Sequence, residues 1–372
     1  MIVKNESKRL PRLFKSLHKV IDYYVISDTG SSDKTPETIK KYMDDYNIPG
    51  EIHHDKWVNF GHNRQLALQH AVKAKVNYIF IIDADEKFEY KDPEFTKTLT
   101  LDWYDVKRVI GKNHVYYLPA ILRVSNNNEI GWKWKGPVHN YIQAALPWIH
   151  RLKRDTMKGV MIHAQVGGAK SHGLTSKQKY MKDANILELE LKKNPKDTRS
   201  QFYLAQSYRD AKENTLSAKH YLKRASMGGW KEEIYYSYLQ VGRIKKAMGL
   251  PYELFLSFYL KAYESFPYRV EGLYDLVSHC RQKKLYNQGY LFGKIGVEIL
   301  NRGHKGVLFL EQNIYDYRLY DEFSVCAYWS GHFKDSLDYC KKILRENKLP
   351  KALIPRVTKN MNFSIRKVSG NK

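Results

Sequence analysis

The chain runs Tyr78-Ile79-Phe80-Ile81-Ile82 and then turns at once to Asp83-Ala84-Asp85-Glu86. β-Branched and aromatic residues favour a strand, and a short unbroken apolar run predicts one covered on both faces, as in a parallel sheet flanked by helices. Carboxylates placed directly after such a strand lie at its carboxyl end, the edge where open α/β sheets bind ligands. The same design occurs upstream, where Tyr23-Tyr24-Val25-Ile26-Ser27 leads into Asp28-Thr29-Gly30-Ser31-Ser32-Asp33.

Strand and helix signals alternate around these two runs, which predicts a mostly parallel sheet of the Rossmann-like α/β class. Met1-Ile2-Val3 reads as the end of a strand, and Leu10, Leu13, Phe14 and Leu17 follow at helical spacing, with Pro11 tolerated in the first turn. Thr35 is the expected N-cap of a second helix with Pro36 at its first position. A short strand near 51–54 and a helix near 62–74 complete the run. From Lys91 to Ala164 the alternation is lost, and mixed strands and loops carry Tyr116, Tyr117, Trp132, Trp134, Tyr141 and Trp148. These aromatics suit either the acceptor side of a cleft or ordinary packing.

From Lys177 onward the pattern is helical and weakly repetitive. Leu204, Ala205 and Tyr208 followed by Ala218, Leu222 and Ala225 match a tetratricopeptide helix pair. Tyr259, Ala262 and Pro267 close a second unit; Leu276, Val277 and Cys280 with Gly289, Gly293 and Gly296 outline a third. Phe323, Ser324, Ala327, Gly331, Ser336 and Cys340 suggest a fourth. The expected organisation is therefore an α/β domain over 1–170 and an all-α helical repeat domain over 171–372, each repeat burying its apolar face against its neighbours.

The chain has 372 residues and a net charge of +24, with 63 Lys and Arg against 39 Asp and Glu. The basic residues are spread along the whole length rather than gathered in a tail, so DNA is not an expected partner. Cys280, Cys326 and Cys340 form no CxxC pair, which argues against a zinc site and fits a reducing, cytoplasmic setting. No apolar run approaches the ~20 residues of a membrane span.

Each strand-end motif implies chemistry of its own. In Asp83-Ala84-Asp85 two carboxylates one residue apart suit a hard divalent cation, Mn²⁺ or Mg²⁺, that keeps open positions for phosphate oxygens. Asp28 opens a turn in which Gly30 permits positive φ and small hydroxyl residues allow close backbone approach. That turn caps a helix but leaves Asp28 without a partner, so Asp28 is the expected acceptor for a base or ribose. Arg64, in Phe60-Gly61-His62-Asn63-Arg64, lies in the first turn of a helix, where a guanidinium can pair with a diphosphate. The alternatives are a surface salt bridge for Arg64 and a structural role for His62.

Taken in order, Ile2-Val3-Lys4-Asn5-Glu6, Asp28 to Asp33, Phe60 to Arg64 and Asp83-Ala84-Asp85-Glu86 resemble family 2 glycosyltransferases of the GT-A fold, in a branch with a tetratricopeptide-like C-terminal extension. Trp132-Lys133-Trp134-Lys135-Gly136-Pro137-Val138-His139, Gln201 to Asp210 and Met227-Gly228-Gly229-Trp230 support that branch. The resemblance implies inverting transfer of a sugar from a nucleotide-diphosphate donor, a UDP-sugar favoured, to an acceptor that is a protein or a glycan. It implies that Val3, Asn5, Glu6 and Asp28 line the nucleoside pocket, that Arg64 approaches the diphosphate, and that Asp83 and Ala84 sit near the ribose. Asp83 and Asp85 are the implied metal ligands, with His163 of Val160-Met161-Ile162-His163 completing the site. The repeats would position an acceptor or a second copy of the chain.

Two departures from the family pattern stand out. Relatives read His-Glu where this chain has His139-Asn140, and an inverting transferase needs a base. His139, Glu86, Glu129 or another carboxylate is expected to take the proton; otherwise the protein is a catalytically weak sugar-nucleotide binder or a repeat scaffold. The family's first strand also begins several residues before the segment matching Met1-Ile2-Val3, which leads to the expectation of a start further upstream or a marginally stable domain.

Overall fold

The computed structural model describes residues 1–110, 114–124, 130–145, 148–164 and 173–370. It forms two compact units, Met1–Glu190 and Leu191–Lys372. The seam falls inside helix α4 (Ser176–Lys193), beyond residue 170 where the change of sequence pattern had placed it.

The first unit begins with β1 (Ile2–Val3), α1 (Leu10–Leu17), β2 (Tyr24–Asp28), α2 (Thr35–Asp45), β3 (Gly50–His54), α3 (Phe60–Lys73) and β4 (Tyr78–Phe80). β1, β2 and β3 pair in parallel, with Ile2 opposite Ser27 and Val25 opposite Glu51. The helical spacing read for α1 buries Leu10, Leu13, Phe14 and Leu17 against this sheet, each contributing about 1.5–3 kcal/mol of apolar burial. α2 starts one residue earlier than expected: Lys34 is the N-cap, Thr35 is the first helical residue and Pro36 lies in the first turn. Asp33 supplies the capping oxygen, accepting from Thr35 N at 3.1 Å.

β4 does not extend the parallel sheet. It pairs antiparallel with β7 (His114–Arg123), Tyr78 opposite Arg123, at the edge of a five-stranded mixed sheet of order β4-β7-β6-β10-β5. The other members are β5 (Glu86–Tyr90), β6 (Trp103–Ile110) and β10 (Arg154–Ala164), with β6 and β10 parallel. The mixed segment expected over 91–164 thus supplies most of a second sheet, together with a small ribbon of β8 (Lys133–Lys135) and β9 (Tyr141–Gln143).

The second unit is helical throughout. Its antiparallel neighbours are α5 (Thr198–Asp210) with α6 (Asn214–Ser226), α7 (Lys231–Ala247) with α8 (Tyr252–Ser265), α9 (Glu271–Gln282) with α10 (Tyr286–Arg302), and α11 (Leu319–Trp329) with α12 (Phe333–Arg345), followed by α13 (Ile354–Val368). These four pairs are the four tetratricopeptide-like units read from the sequence. Gly289, Gly293 and Gly296 lie on one face of α10, where an added Cβ would meet Cys326, Phe323 and Leu319 of α11. Small residues are needed there because the two helices approach so closely. The three cysteines are free thiols, buried to 0% exposure in this packing.

Candidate functional site

The loops after β1 and β2 meet at the carboxyl ends of those strands. Asn5, in left-handed backbone (φ 56°), accepts from Ser32 N through Oδ1 at 2.7 Å, while its own N–H donates to Ser31 Oγ at 2.9 Å. Glu6 N donates to Thr35 Oγ1 at 2.8 Å, and Ser7 Oγ to Asp33 at 2.6 Å. A positive φ at a non-glycine residue persists only where surrounding contacts impose it, and these cross-links do so. The loop after β1 is thereby tied to the loop after β2.

Asp28 is 3% exposed and does have partners: its carboxylate accepts from Ser31 N at 3.1 Å and from Ser31 Oγ, and His54 Nδ1 stands 3.4 Å away. The unpartnered aspartate expected from the sequence is therefore corrected. An Asx-type turn engages it, since Ser31 lies three residues on and folds back. Val3, also implied in the pocket, is 3% exposed, and its carbonyl accepts from both Thr29 N and Thr29 Oγ1 at 2.9 Å. Ala84 is 6% exposed. Glu6, 7% exposed, pairs with Arg9 Nη1 at 2.8 Å.

Arg64 is the hub. Asn59 caps α3 by accepting from His62 N at 2.9 Å, which sets Arg64 in the first turn. Arg64 Nη2 donates to both Asp83 oxygens at 2.7 Å, Nη1 donates to Asn140 Oδ1 at 2.9 Å, and the guanidinium lies 5.0 Å from the centre of the Trp134 ring. Trp134 N in turn donates to Gln65 Oε1 at 2.8 Å. A Cβ on Gly61 would overlap the Gly136 carbonyl, so the 132–140 loop is seated directly on the start of α3. His139, exposed and at φ 48°, stands beside Asn140 on that loop.

Burial would raise the Asp83 carboxyl, but the guanidiniums of Arg64 and Arg108 outweigh it and hold the pKa below the usual range. Asp85 is pushed upward, by burial first and by the Asp83 charge second. Its own backbone N–H and the Arg9 charge only partly offset this, while its carbonyl accepts from Arg12 Nη2 at 3.0 Å. Glu86 is 3% exposed; it pairs with buried Arg108 and accepts from Asp83 N at 2.9 Å, and burial pushes its pKa up to about 7. It lies beneath the aspartates with both oxygens engaged, not in the cleft. The β5 alternation gives the signal: if Phe88 points inward, so does Glu86.

His163, on β10, is brought to Glu89 at 3.0 Å and not to Asp83 and Asp85. Among the described residues no three His, Cys, Asp or Glu side chains gather closely enough to hold a metal ion. The donor chemistry still suits a hard cation. Two carboxylates stand one residue apart, and the free one is strained by its neighbour's negative charge, which a cation would relieve. Glu129 lies outside the described residues. Sequence reasoning missed Arg108, Arg12 and the amide of Asn140 as parts of this site, and Asn63. The last is 0% exposed and pins the 56–58 segment through Val58 N and Lys56 O.

Residues 1–101, the segment that holds the strand-end motifs, match the family described as Glycosyl transferase family 2. The match supports glycosyltransferase activity in general. No curated protein sequence matched the chain. Among solved structures, residues 1–349 of TarS from S. aureus are similar at 14% identity over 71% of this chain and 87% of that one, with a TM-score of 0.35. MamA is similar at 13% identity over 46% of this chain and 91% of its own, TM-score 0.35. TTC0263, a thermophilic TPR protein of Thermus thermophilus, is similar at 14% identity over 50% and 91%, TM-score 0.30. No described helix is long and apolar enough to cross a membrane.

Proposed function

We propose that this protein is a metal-dependent inverting glycosyltransferase that moves a sugar from a nucleotide-diphosphate donor, a UDP-sugar first, to a hydroxyl on a protein or glycan. The observation that carries the reading is the pairing of Arg64 with Asp83, beside Asp85, within the family-matched segment. Asp28 and Asn5 would face the nucleoside. Arg64, fixed by Asp83 and Asn140, would meet the diphosphate through the donors left on its fork.

Asp85 would hold Mn²⁺ or Mg²⁺, with Asp83 beside it and phosphate oxygens and water filling the remaining positions. When bound, the ion supplies positive charge against the departing diphosphate. The acceptor oxygen forms its bond to the anomeric carbon as the bond to the diphosphate oxygen breaks, and the acceptor proton passes to His139. Glu86 is left out of that role because Arg108 and the Asp83 amide occupy it.

Release of UDP from a UDP-sugar in the presence of Mn²⁺ tests the reading. Asp85→Ala should cut release at least about 100-fold, as for other charge-stabilising groups, without changing Tm; unchanged release contradicts it. Asn140 favours a second reading, a binder with little transfer, because an amide committed to Arg64 replaces the carboxylate that relatives carry next to the histidine. That reading requires donor binding without nucleoside diphosphate release against any acceptor supplied.

A further inference from the structure

In the second unit the connections between successive helix pairs are short until α10. Residues 227–230 join α6 to α7 and residues 266–270 join α8 to α9, whereas α10 is followed by the longer segment 303–313 before the turn at Ile314–Arg318 that leads into α11. This segment does not stay beside its own helices. It runs back over α5, α7 and the start of α9, and side chains from each of those places hold it.

The contacts grip its backbone and its side chains separately. Val307 N and Leu308 N both donate to Glu232 Oε2 at 2.8 Å, and Leu308 O accepts from Arg269 Nη1 at 2.7 Å. Glu232 and Arg269 are buried and paired with each other at 3.2 Å, so the helices present one fixed acceptor and one fixed donor to an extended backbone laid across them. Phe309 lies against two aromatics, its ring centre 5.2 Å from that of Tyr236 and 6.4 Å from that of Phe202. Glu311 accepts from Arg243 Nη1 at 2.5 Å, while Asp275 accepts from Nε of the same arginine at 2.6 Å. Backbone bonds accept any sequence, whereas the aromatic place and the arginine beyond it select one.

The outer side of the segment is open. Val307 is 78% exposed and Phe309 is 42% exposed. Phe309 has left-handed backbone at φ 50°, and Gly303 and Gly306 precede it at φ 90° and 147°, conformations that glycine alone adopts freely. Irregular chain with exposed apolar side chains opens more readily than the packed helices beneath it.

We propose that the seat under residues 303–313 is a docking site for an extended segment of a partner protein with an aromatic residue followed two positions later by an acidic one, and that the chain's own Phe309-Leu310-Glu311 fills it until that partner displaces it. The net charge of +24 favours the approach of an acidic segment. The partner's backbone takes the bonds to Glu232 and Arg269, its ring takes the face of Phe202 and Tyr236, and its carboxylate takes Arg243.

A fluorescein-labelled peptide of residues 305–313 is the probe, followed by anisotropy without nucleotide or metal, so the outcome is independent of the sugar-donor reading. The chain carrying Phe309→Ser and Glu311→Gln, in which the internal occupant is weakened and the seat is intact, should bind the peptide at least about tenfold more tightly than wild type, because a tethered competitor lowers apparent affinity. A peptide carrying the same two substitutions should not bind. Hydrogen exchange on the wild-type chain needs no variant to fold: excess unlabelled peptide should speed exchange at Val307 and Leu308 while α5, α7 and α9 keep their protection. Equal binding of the original and substituted peptides, or unchanged exchange at Val307 and Leu308 in excess peptide, overturns the proposal. So does a double variant that keeps its helical circular dichroism and binds no more tightly than wild type, or one that elutes as a dimer, which would give the seat to a second copy of the chain.

Discussion

Arg64 grips Asp83 with a single guanidinium nitrogen, Nη2 standing 2.7 Å from each carboxylate oxygen, and spends Nη1 on Asn140. Asp83 is thus already ion-paired within the protein, whereas the pKa of Asp85 is pushed upward by burial and by the Asp83 charge. Asp83 holds the arginine in place, whereas Asp85 has the charge to offer a cation.

Removing the Asn140 acceptor should loosen Arg64 without detaching it. Asn140→Ala is expected to weaken nucleotide-sugar binding about fivefold, the equivalent of ~1 kcal/mol for one hydrogen bond, with Tm nearly unchanged. Titration of the donor by calorimetry checks this, and unaltered affinity would show that Arg64 is not positioned from the 132–140 loop.

Gly61 transmits the position of that loop to α3. Gly61→Ala puts a methyl group where the Gly136 carbonyl lies, so the loop must shift and carry His139 and Asn140 with it. The expected result is at least a tenfold loss of UDP release for roughly 1–3 kcal/mol of stability, the usual cost of an overpacked contact. Steady-state rates beside a urea denaturation curve separate the two effects.

Arg108 and Glu86 form a buried pair below the motif, 7% and 3% exposed. Arg108→Met removes the cation and leaves a carboxylate in a dry site, at a cost of about 3–5 kcal/mol. The double variant with Glu86→Gln should recover part of this, because the amide oxygen still accepts from Asp83 N. Equal stabilities of the single and double variants, read by denaturant midpoint, would contradict the pairing.

The thiols give a prediction for the helical unit. Burial pushes the pKa of Cys340 up to about 11 and of Cys326 up to about 12, and raises that of Cys280 as well. Because the thiolate is the reactive form, no thiol should react promptly with Ellman's reagent between pH 7 and 9, and all three should react on unfolding. A fast-reacting thiol in the folded protein would place a cysteine outside the packing between α9, α10, α11 and α12.

Asp28 and Asp83 were legible in the sequence because an apolar run points to the residue that follows it. The helix pairs were legible because small residues recur where helices touch. Strand partners were not: nothing in Tyr78-Ile79-Phe80 states that it pairs with a segment more than 40 residues away, since a covered strand looks alike in parallel and antiparallel surroundings. Asn140 reaches Arg64 across 76 residues of sequence, by way of a loop whose only local sign is the pair Gly136-Pro137. Glu86 continued an acidic motif in the sequence, yet the alternation of β5 turns it inward to Arg108.

Thermal shift of the wild-type chain and of Asp85→Ala, each with a UDP-sugar in the presence and absence of Mn²⁺, bears most directly on the central assignment. At ligand concentrations about 100 times Kd, linkage predicts that wild type gains roughly 5–10 °C in Tm only when both are present. Asp85→Ala should gain nothing from the ion while melting at the wild-type temperature without ligand. A full Mn²⁺-dependent shift in Asp85→Ala would place the cation elsewhere and contradict the account.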